Sequence, residues 1–293
     1  MPELPEVETV RIGLKSLIVG KTISKVNLIN PTSFVNSQME IDQFLIGSKV
    51  IDVQRRAKVL LIKLNNQHIL MTHLKMTGQL VFDSLDSHFG AGHPNDSLIG
   101  QLPDKSTRVY LTFNDHSKLY FNDQRKFGWI KLYPIDQIDQ IPFMNKLGPE
   151  PLAKDFTWQK LKERLLIRSK SYIKPVLIDQ SIVAGIGNIY ADETLWMARV
   201  NPNTRVNQLT DTKIKQIFES LRLVLMLSLE KGGSTDRNYV NAQGQKGNYL
   251  NFANVYGRQG KPCPRCGKPI VKIKLAGRGT HYCRYCQKIV RQK

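Results

Sequence analysis

The stretch CPRCGKPIVKIKLAGRGTHYCRYC, residues 263–286, decides how the C-terminal end of the chain folds. Two residues separate Cys263 from Cys266, two separate Cys283 from Cys286, and sixteen lie between the pairs. That spacing fits a zinc ribbon. Each C-x2-C turn offers two thiolates, and two such turns complete the closed tetrahedron of a structural rather than a catalytic zinc, so one Zn2+ is expected. Between the turns, PIVKIKL and THYCRY read as the arms of a β-hairpin with Ala276-Gly277-Arg278-Gly279 at its tip. An arginine there suits a phosphate, because the guanidinium is always charged and engages two oxygens at once. A solvated turn arginine is the plain alternative.

The charge pattern agrees with an anionic partner. From Arg237 to the end, 57 residues contain 13 Lys+Arg and neither Asp nor Glu. The whole chain of 293 residues carries 43 Lys+Arg against 24 Asp+Glu, a formal net charge of 43 − 24 = +19. Such an excess points to a polyanion such as nucleic acid. With 41% hydrophobic and 23% charged residues, wholly disordered and collagen-like classes are excluded. The start, MPELPEVETV, has acids where a secretory signal needs bases. The longest apolar-rich run, Leu221 to Leu229, is far shorter than the roughly 20 residues of a membrane span. A cytoplasmic protein with no membrane partner is expected, and a monomer, since no coiled-coil or repeat pattern occurs.

Inward from the termini, Val7, Val10, Leu14 and Leu17 follow helical spacing and predict a leading helix, with Glu3, Glu6 and Glu8 crowding its positive end. From Lys21 to Tyr133 the pattern changes to short β-type runs, among them KVLLIKL, HILMTHL, RVYLTF and KLYFN. Residues 83–105, rich in Ser, Gly, Asp and Pro, read as a mobile surface insertion without chemistry. Prolines at 134, 142, 149 and 151 mark a linker. Helical patterns follow at 158–169, 174–179, 189–199 and 212–231. The fold class is therefore α+β in two domains: an N-terminal β-rich domain at 1–133, a linker at 134–151, a helical domain at 152–236, a connection at 237–254 and a zinc finger at 255–293.

Pro2 carries the chemical interest. A small second residue favours removal of Met1, which leaves a secondary amine at the terminus. An α-amino group titrates near ~7.7–8.0, so part of it is neutral and nucleophilic at physiological pH. A secondary amine that attacks a sugar C1′ gives an iminium directly. Pro2 as a simple helix-leading proline is the bland alternative.

The strings MPELPEVET, QRRAK at 54–58, GIGNIYADE at 185–193, VYGRQGKPC at 255–263 and GRGTHYC at 277–283 occur in one order along nearly the whole chain. Together they resemble the formamidopyrimidine-DNA glycosylase family of bacterial base-excision repair. The resemblance implies an N-terminal β-sandwich with a leading helix, a helix-two-turns-helix bundle and a β-hairpin zinc finger. It also implies removal of oxidised purines, such as 8-oxoguanine and formamidopyrimidines, from double-stranded DNA, and cleavage at the resulting abasic site by β,δ-elimination, with no organic cofactor. Pro2 then matches the nucleophile, Glu3 the adjacent carboxylate, Lys58 the lysine beside the lesion, and Arg278 the finger-tip phosphate clamp. Asn188 matches the asparagine of the helical DNA-binding element, where it also reads as an N-cap for a helix beginning at Ile189. Lys170 is placed with it as a DNA contact. Met76, Arg125 and Phe127 match the trio that fills the gap left by an everted base. The metal ligands are Cys263, Cys266, Cys283 and Cys286.

Two departures accompany the resemblance. The 83–105 insertion is long for the family, and Ser106 stands where relatives often carry a DNA-contacting histidine. The segment after Gly232-Gly233 corresponds to the loop that covers the flipped base. A sister enzyme for oxidised pyrimidines and a catalytically silent zinc-ribbon protein that binds bent DNA are the rival readings. PELPEVET favours the purine branch.

Overall fold

A computed structural model describes residues 2–93, 95–234 and 249–289. The chain divides into two compact units, Met1–Asn145 with Lys231–Asn248, and Lys146–Glu230 with Tyr249–Lys293.

The first unit opens with helix α1, Leu4–Ile18. Leu4, Val7, Val10, Leu14 and Ile18 are fully buried, and each contributes about 1.5–3 kcal/mol by leaving water. The stripe runs from Leu14 to Ile18, an i+4 step, so the expected Leu17 is only half-buried beside it. Gly13 lets the helix approach closely, since a Cβ there would lie 2.2 Å from the Phe89 ring.

Nine strands follow: β1 Ile23–Leu28, β2 Val50–Arg56, β3 Val59–Leu64, β4 His68–His73, β5 Gly78–Asp83, β6 His88–Gly92, β7 Thr107–Phe113, β8 Lys118–Asp123 and β9 Trp129–Pro134, with helix α2, Gln38–Phe44, after β1. They form a five-stranded sheet in the order β1-β7-β8-β5-β6 and a four-stranded sheet in the order β2-β3-β4-β9, with antiparallel pairing throughout. One core joins apolar faces of both sheets with α1, which makes the unit a β-sandwich. Strand β3 reads as an unbroken apolar run because both its faces are covered. Leu60, Ile62 and Leu64 enter the main core, and Val59 and Leu61 pack outward.

Two segments depart from expectation. Residues 83–105 are not a bare surface insertion: β6 pairs with β5, Phe89 and Ala91 enter the core, and Leu98 covers Val81 and Tyr120 on the outer sheet face. Glycines between those apolar positions hid the strand. In the expected linker, residues 135–145 are structured instead, as a 3-10 turn, Ile135–Gln140, and a short helix α3, Pro142–Asn145. Ile138, Ile141, Phe143 and Met144 from this segment cover the outer face of β3, β4 and β9.

The second unit contains α4 Trp158–Leu166, α5 Ile173–Leu177, α6 Asn188–Met197, α7 Asp211–Glu230 and α8 Tyr249–Phe252, followed by the hairpin β10 Val271–Leu275 and β11 Arg278–Tyr282. Phe156, Leu161, Ile173, Tyr190, Ile217 and Leu221 are among its core residues. Two consecutive buried acids on α6 fasten the finger to the helices. Glu193 accepts from the backbone N–H groups of Asn254, Val255 and Tyr256 and from the Asn254 amide, at 2.8–3.0 Å. Asp192 pairs with Lys174 at 2.6 Å and accepts from the backbone N–H of His281 at 2.8 Å. Lys174 also donates to the Gly279 carbonyl and to Thr280 Oγ1.

Lys174 is 1% exposed and Asp192 is also buried. Removing the carboxylate by Asp192→Ala strands a buried ammonium, and the expected cost is about 3–5 kcal/mol, measured as a lower urea midpoint.

Candidate nucleic-acid interface and metal centre

Pro2 is buried and directly precedes Glu3, the N-cap of α1. The Glu3 backbone N–H donates to Glu6 Oε2 at 2.7 Å, the returning half of a capping box. The other oxygen, Glu6 Oε1, accepts from the Ser234 backbone N–H at 2.7 Å. One carboxylate therefore fixes both the chain start and the entrance to the segment after Gly233, where a positive φ of 90° suits glycine. The rest of the expected lesion-covering loop, 235–248, lies outside the described residues.

Lys58 is buried, 5% exposed, in the two-residue turn that joins β2 to β3, where Ala57 has φ 53°. Arg55 braces this turn by donating to the Ala57 carbonyl at 2.8 Å. Its Nε also donates to Glu8 of α1 at 2.9 Å. The Lys58 turn is thus tied to the helix that begins behind Pro2. Burial acts to raise the Glu8 pKa, but hydrogen bonds from Arg11 and Arg55 outweigh it and hold the carboxyl below its ordinary value.

Met76, Arg125 and Phe127 sit on two loops that the fold brings together. Met76 is half-buried between β4 and β5, in a turn closed by Gly78 N–H donating to the Leu74 carbonyl at 2.8 Å. A Cβ at Gly78 would strike that carbonyl oxygen at 2.3 Å, so the position needs glycine. Arg125 and Phe127 are exposed on the β8–β9 loop, with the guanidinium 4.8 Å from the aromatic ring centre. Asp123, fully buried, accepts from Thr77 Oγ1 and from the backbone N–H groups of Arg125, Phe127 and Gly128, the last two at 2.8 and 2.6 Å. The sequence offered no sign of this hub, because its donors lie on both loops.

At the base of the Met76 turn, His73 Nδ1 accepts from the Lys75 backbone N–H at 3.0 Å. Burial, with the charges of Lys75 and Lys58, lowers the His73 pKa to about 3. Ser106 is buried and bonded to Asp104 and Ser97, away from the surface expected of a DNA contact.

In the second unit, Asn188 is the first residue of α6 and Gly187 is the N-cap, which corrects the expected cap. Among the described residues Asn188 Oδ1 is buried with no hydrogen-bond partner. Gln180 braces the preceding turn by accepting from the Gly185 N–H and donating to the Ile178 and Ile186 carbonyls. Lys170 is exposed, and its carbonyl accepts from Arg205 at 2.7 Å. Arg278 is exposed as the first residue of β11, opposite Leu275, and only Ala276 and Gly277, at φ 45° and 78°, form the hairpin turn.

The four cysteine sulfurs all lie within 4.8 Å of one another, with Cys263–Cys286 at 3.9 Å and Cys266–Cys283 at 3.5 Å. Zn–S bonds of about 2.3 Å set a tetrahedral edge of about 3.8 Å, so the donor set fits Zn2+. Burial and neighbouring sulfurs push the Cys286 thiol up to about 12. At Cys263, burial is outweighed by hydrogen bonds led by the Trp196 indole, and the thiol is held at about 6. A central dication lets all four sulfurs be charged together. Arg265 stacks on Trp196, its guanidinium carbon 4.1 Å from the ring centre.

Chelating the zinc should change Trp196 fluorescence and lower the melting temperature, and Trp196→Phe should abolish only the optical change. His73 gives a second expectation. Its folded pKa of about 3 lies below the ordinary histidine value of 6.5, so the unfolded chain takes up the proton first and stability is lost as pH falls below about 6.5. The urea midpoint should fall between roughly pH 7 and pH 5, less steeply in His73→Gln.

Comparisons with known proteins bear on both units. Residues 1–130 match the family model for the formamidopyrimidine-DNA glycosylase N-terminal domain, and residues 147–239 match the formamidopyrimidine-DNA glycosylase H2TH domain. Residues 260–289 match a zinc finger found in FPG and IleRS, so the four cysteines form a structural zinc site. A formamidopyrimidine-DNA glycosylase of Streptococcus pyogenes serotype M6 is 43% identical over 293 residues, covering 98% of this chain and 99% of that protein. One of Pelotomaculum thermopropionicum is 40% identical, covering 99% and 100%. The Lactococcus lactis Fpg in complex with abasic-site DNA is similar at a TM-score of 0.86 and 36% identity, covering 98% of this chain and 99% of that one. The wild-type Lactococcus lactis enzyme with N7-benzyl-Fapy-dG DNA gives a TM-score of 0.86 at 35% identity, covering 98% and 100%. Among the described residues no helix is long and apolar enough to cross a membrane. With both units and the finger matched in order and full-length relatives at this identity, the chain belongs to the formamidopyrimidine-DNA glycosylase family.

Proposed function

We propose that the protein is a bifunctional glycosylase and abasic-site lyase that removes oxidised purines from double-stranded DNA through an iminium at Pro2. The observation that carries the reading is the buried proline at the head of α1, with the Lys58 turn tied to the same helix through Glu8 and Arg55. The positive end of a helix disfavours a protonated terminal amine, which favours the lone pair on the Pro2 nitrogen.

In this reading Met1 has been removed. The Pro2 nitrogen attacks C1′, the C1′–N bond breaks, and the base leaves with a proton. Glu3 assists opening of the sugar ring. Loss of a C2′ proton then expels the 3′ phosphate, a second elimination expels the 5′ phosphate, and water releases the amine. Lys58 contacts the DNA beside the lesion and assists proton transfer. Arg278, Lys170 and Asn188 hold phosphates, Asn188 at the N-terminus of α6, where backbone amides favour an anion. Met76, Arg125 and Phe127 fill the gap left by the everted nucleotide. Zinc holds the finger that presents Arg278, and bacterial cytoplasm is the proposed location. The relatives solved with abasic-site and Fapy-dG DNA support this substrate class.

Borohydride trapping on a duplex with 8-oxoguanine opposite cytosine tests the reading. The protein confirmed to begin at Pro2 should form a covalent adduct, and Pro2→Gly should reduce trapping on the order of 100-fold. Tight zinc-dependent binding without an adduct would leave a silent DNA-binding protein instead. Stronger excision of thymine glycol than of 8-oxoguanine would move the assignment to the pyrimidine branch.

A further inference from the structure

Arg125, Phe127 and Met76 project from two separate loops, yet a wedge works only if its parts enter the duplex together. Asp123 is where the loops join. Strand β8 ends at Asp123, which is paired with Gly78, the first residue of β5. Its Oδ1 accepts from Thr77 Oγ1 and from the Arg125 N–H, and the Arg125 N–H also reaches Thr77 Oγ1 at 3.1 Å. Its Oδ2 accepts from the N–H groups of Phe127 and Gly128. The backbone of Asp123 is held as well, since its N–H donates to the Ser106 carbonyl at 2.8 Å and its carbonyl accepts from Arg108 Nε at 2.7 Å. With their amides turned inward, Arg125 and Phe127 point their side chains outward, and Phe127 is 55% exposed.

We propose that Asp123 is a positioning residue that locks the Met76 loop and the Arg125–Phe127 loop into one rigid wedge, so that eversion of an intact lesion depends on it more than the subsequent lyase chemistry does. The inference rests on the void-filling role proposed above. Four donors converge on two oxygens, two on each. An asparagine amide offers a single acceptor, so one of its orientations sets an NH2 against the Phe127 and Gly128 N–H groups and the other sets it against the Arg125 N–H, where only the Thr77 hydroxyl can turn to accept. Asp123→Asn therefore unlocks the wedge with almost no change of volume. A Thr77→Val variant removes one of the four donors, together with the second acceptor of the Arg125 N–H, and serves as a graded version of the same change.

The experiment compares single-turnover excision of 8-oxoguanine opposite cytosine with strand cleavage at a preformed abasic site, for the native protein and both variants. A 2-aminopurine beside the orphaned cytosine reports insertion of the wedge. For Asp123→Asn, the ratio of base excision to abasic cleavage should fall on the order of tenfold, with a matching loss of the early 2-aminopurine rise. Thr77→Val should shift the ratio in the same direction by a smaller factor. Equal loss of both activities, or an unchanged ratio, overturns the proposal. If Asp123→Asn does not fold, Thr77→Val decides, and an unchanged ratio there overturns it equally. Absence of abasic cleavage by the native protein would defeat the function proposed above instead, so the two failures are distinct.

Discussion

Buried carboxylates that collect backbone N–H groups are the interaction on which the rest of this structure depends. A chain with a net charge of +19 leaves most of its cations in water, because an ammonium or guanidinium taken from water needs a partner and is then lost to an external anion. The most deeply buried ionic positions are filled mainly by a few acids. Asp123, Asp192 and Glu193 are each 0 or 1% exposed. Each ties together segments that are far apart in sequence. The lone cation of comparable burial, Lys174 among the described residues, is held by Asp192. Charge-assisted hydrogen bonds of this kind are short, directional and stronger than neutral ones, so they set loop positions that hydrophobic packing would leave loose.

The consequence is a division of labour within each unit. Apolar cores supply most of the stability, and the acids supply placement. In the first unit, the sandwich core fixes α1 and the strands, while Glu6 sets the N-terminal turn, Glu8 the Lys58 turn and Asp123 the loops of Met76, Arg125 and Phe127. In the second, Asp192 and Glu193 do the same for a finger whose own core is little more than Trp196, Val255, Ile270 and the cysteines. So small a core cannot order itself, and zinc and the two acids provide what hydrophobic burial does not.

What the sequence made legible follows from how local each signal is. The zinc site could be read from spacing because each ligand pair lies within one turn, and α1 could be read because its stripe repeats within the helix. The sandwich was visible as a succession of β-type runs. Strand β6 was not, because Gly90 and Gly92 alternate with its two core residues and look like loop. The cap of α6 was misplaced by one residue, since Gly187 and Asn188 are both acceptable caps by type and only the backbone decides between them. Lys58 became a candidate only through a whole-chain resemblance, since one lysine has no signature of its own, whereas Pro2 and Arg278 offered local chemistry, a terminal secondary amine and a hairpin-tip guanidinium, to which the resemblance attached roles. The acid hubs were invisible for a stronger reason. Asp123 meets Thr77 across 46 positions and Glu193 meets Val255 across 62, and no periodicity or local motif encodes a partner at that distance.

The same locality bears on how the site can vary. A side chain such as Arg125 or Phe127 can be exchanged without disturbing the loop, because its amide, not its side chain, engages the hub. Asp123 has no such freedom, as four donors on two loops would each need a new acceptor. A surface meant to discriminate among damaged bases can therefore change its exposed residues while the acids beneath them stay fixed. Positive charge brings the DNA to the protein without regard to sequence or damage. In the function proposed above, the rigid placement of a few exposed groups, set from below by buried carboxylates, is what distinguishes a base that leaves the stack easily from one that does not.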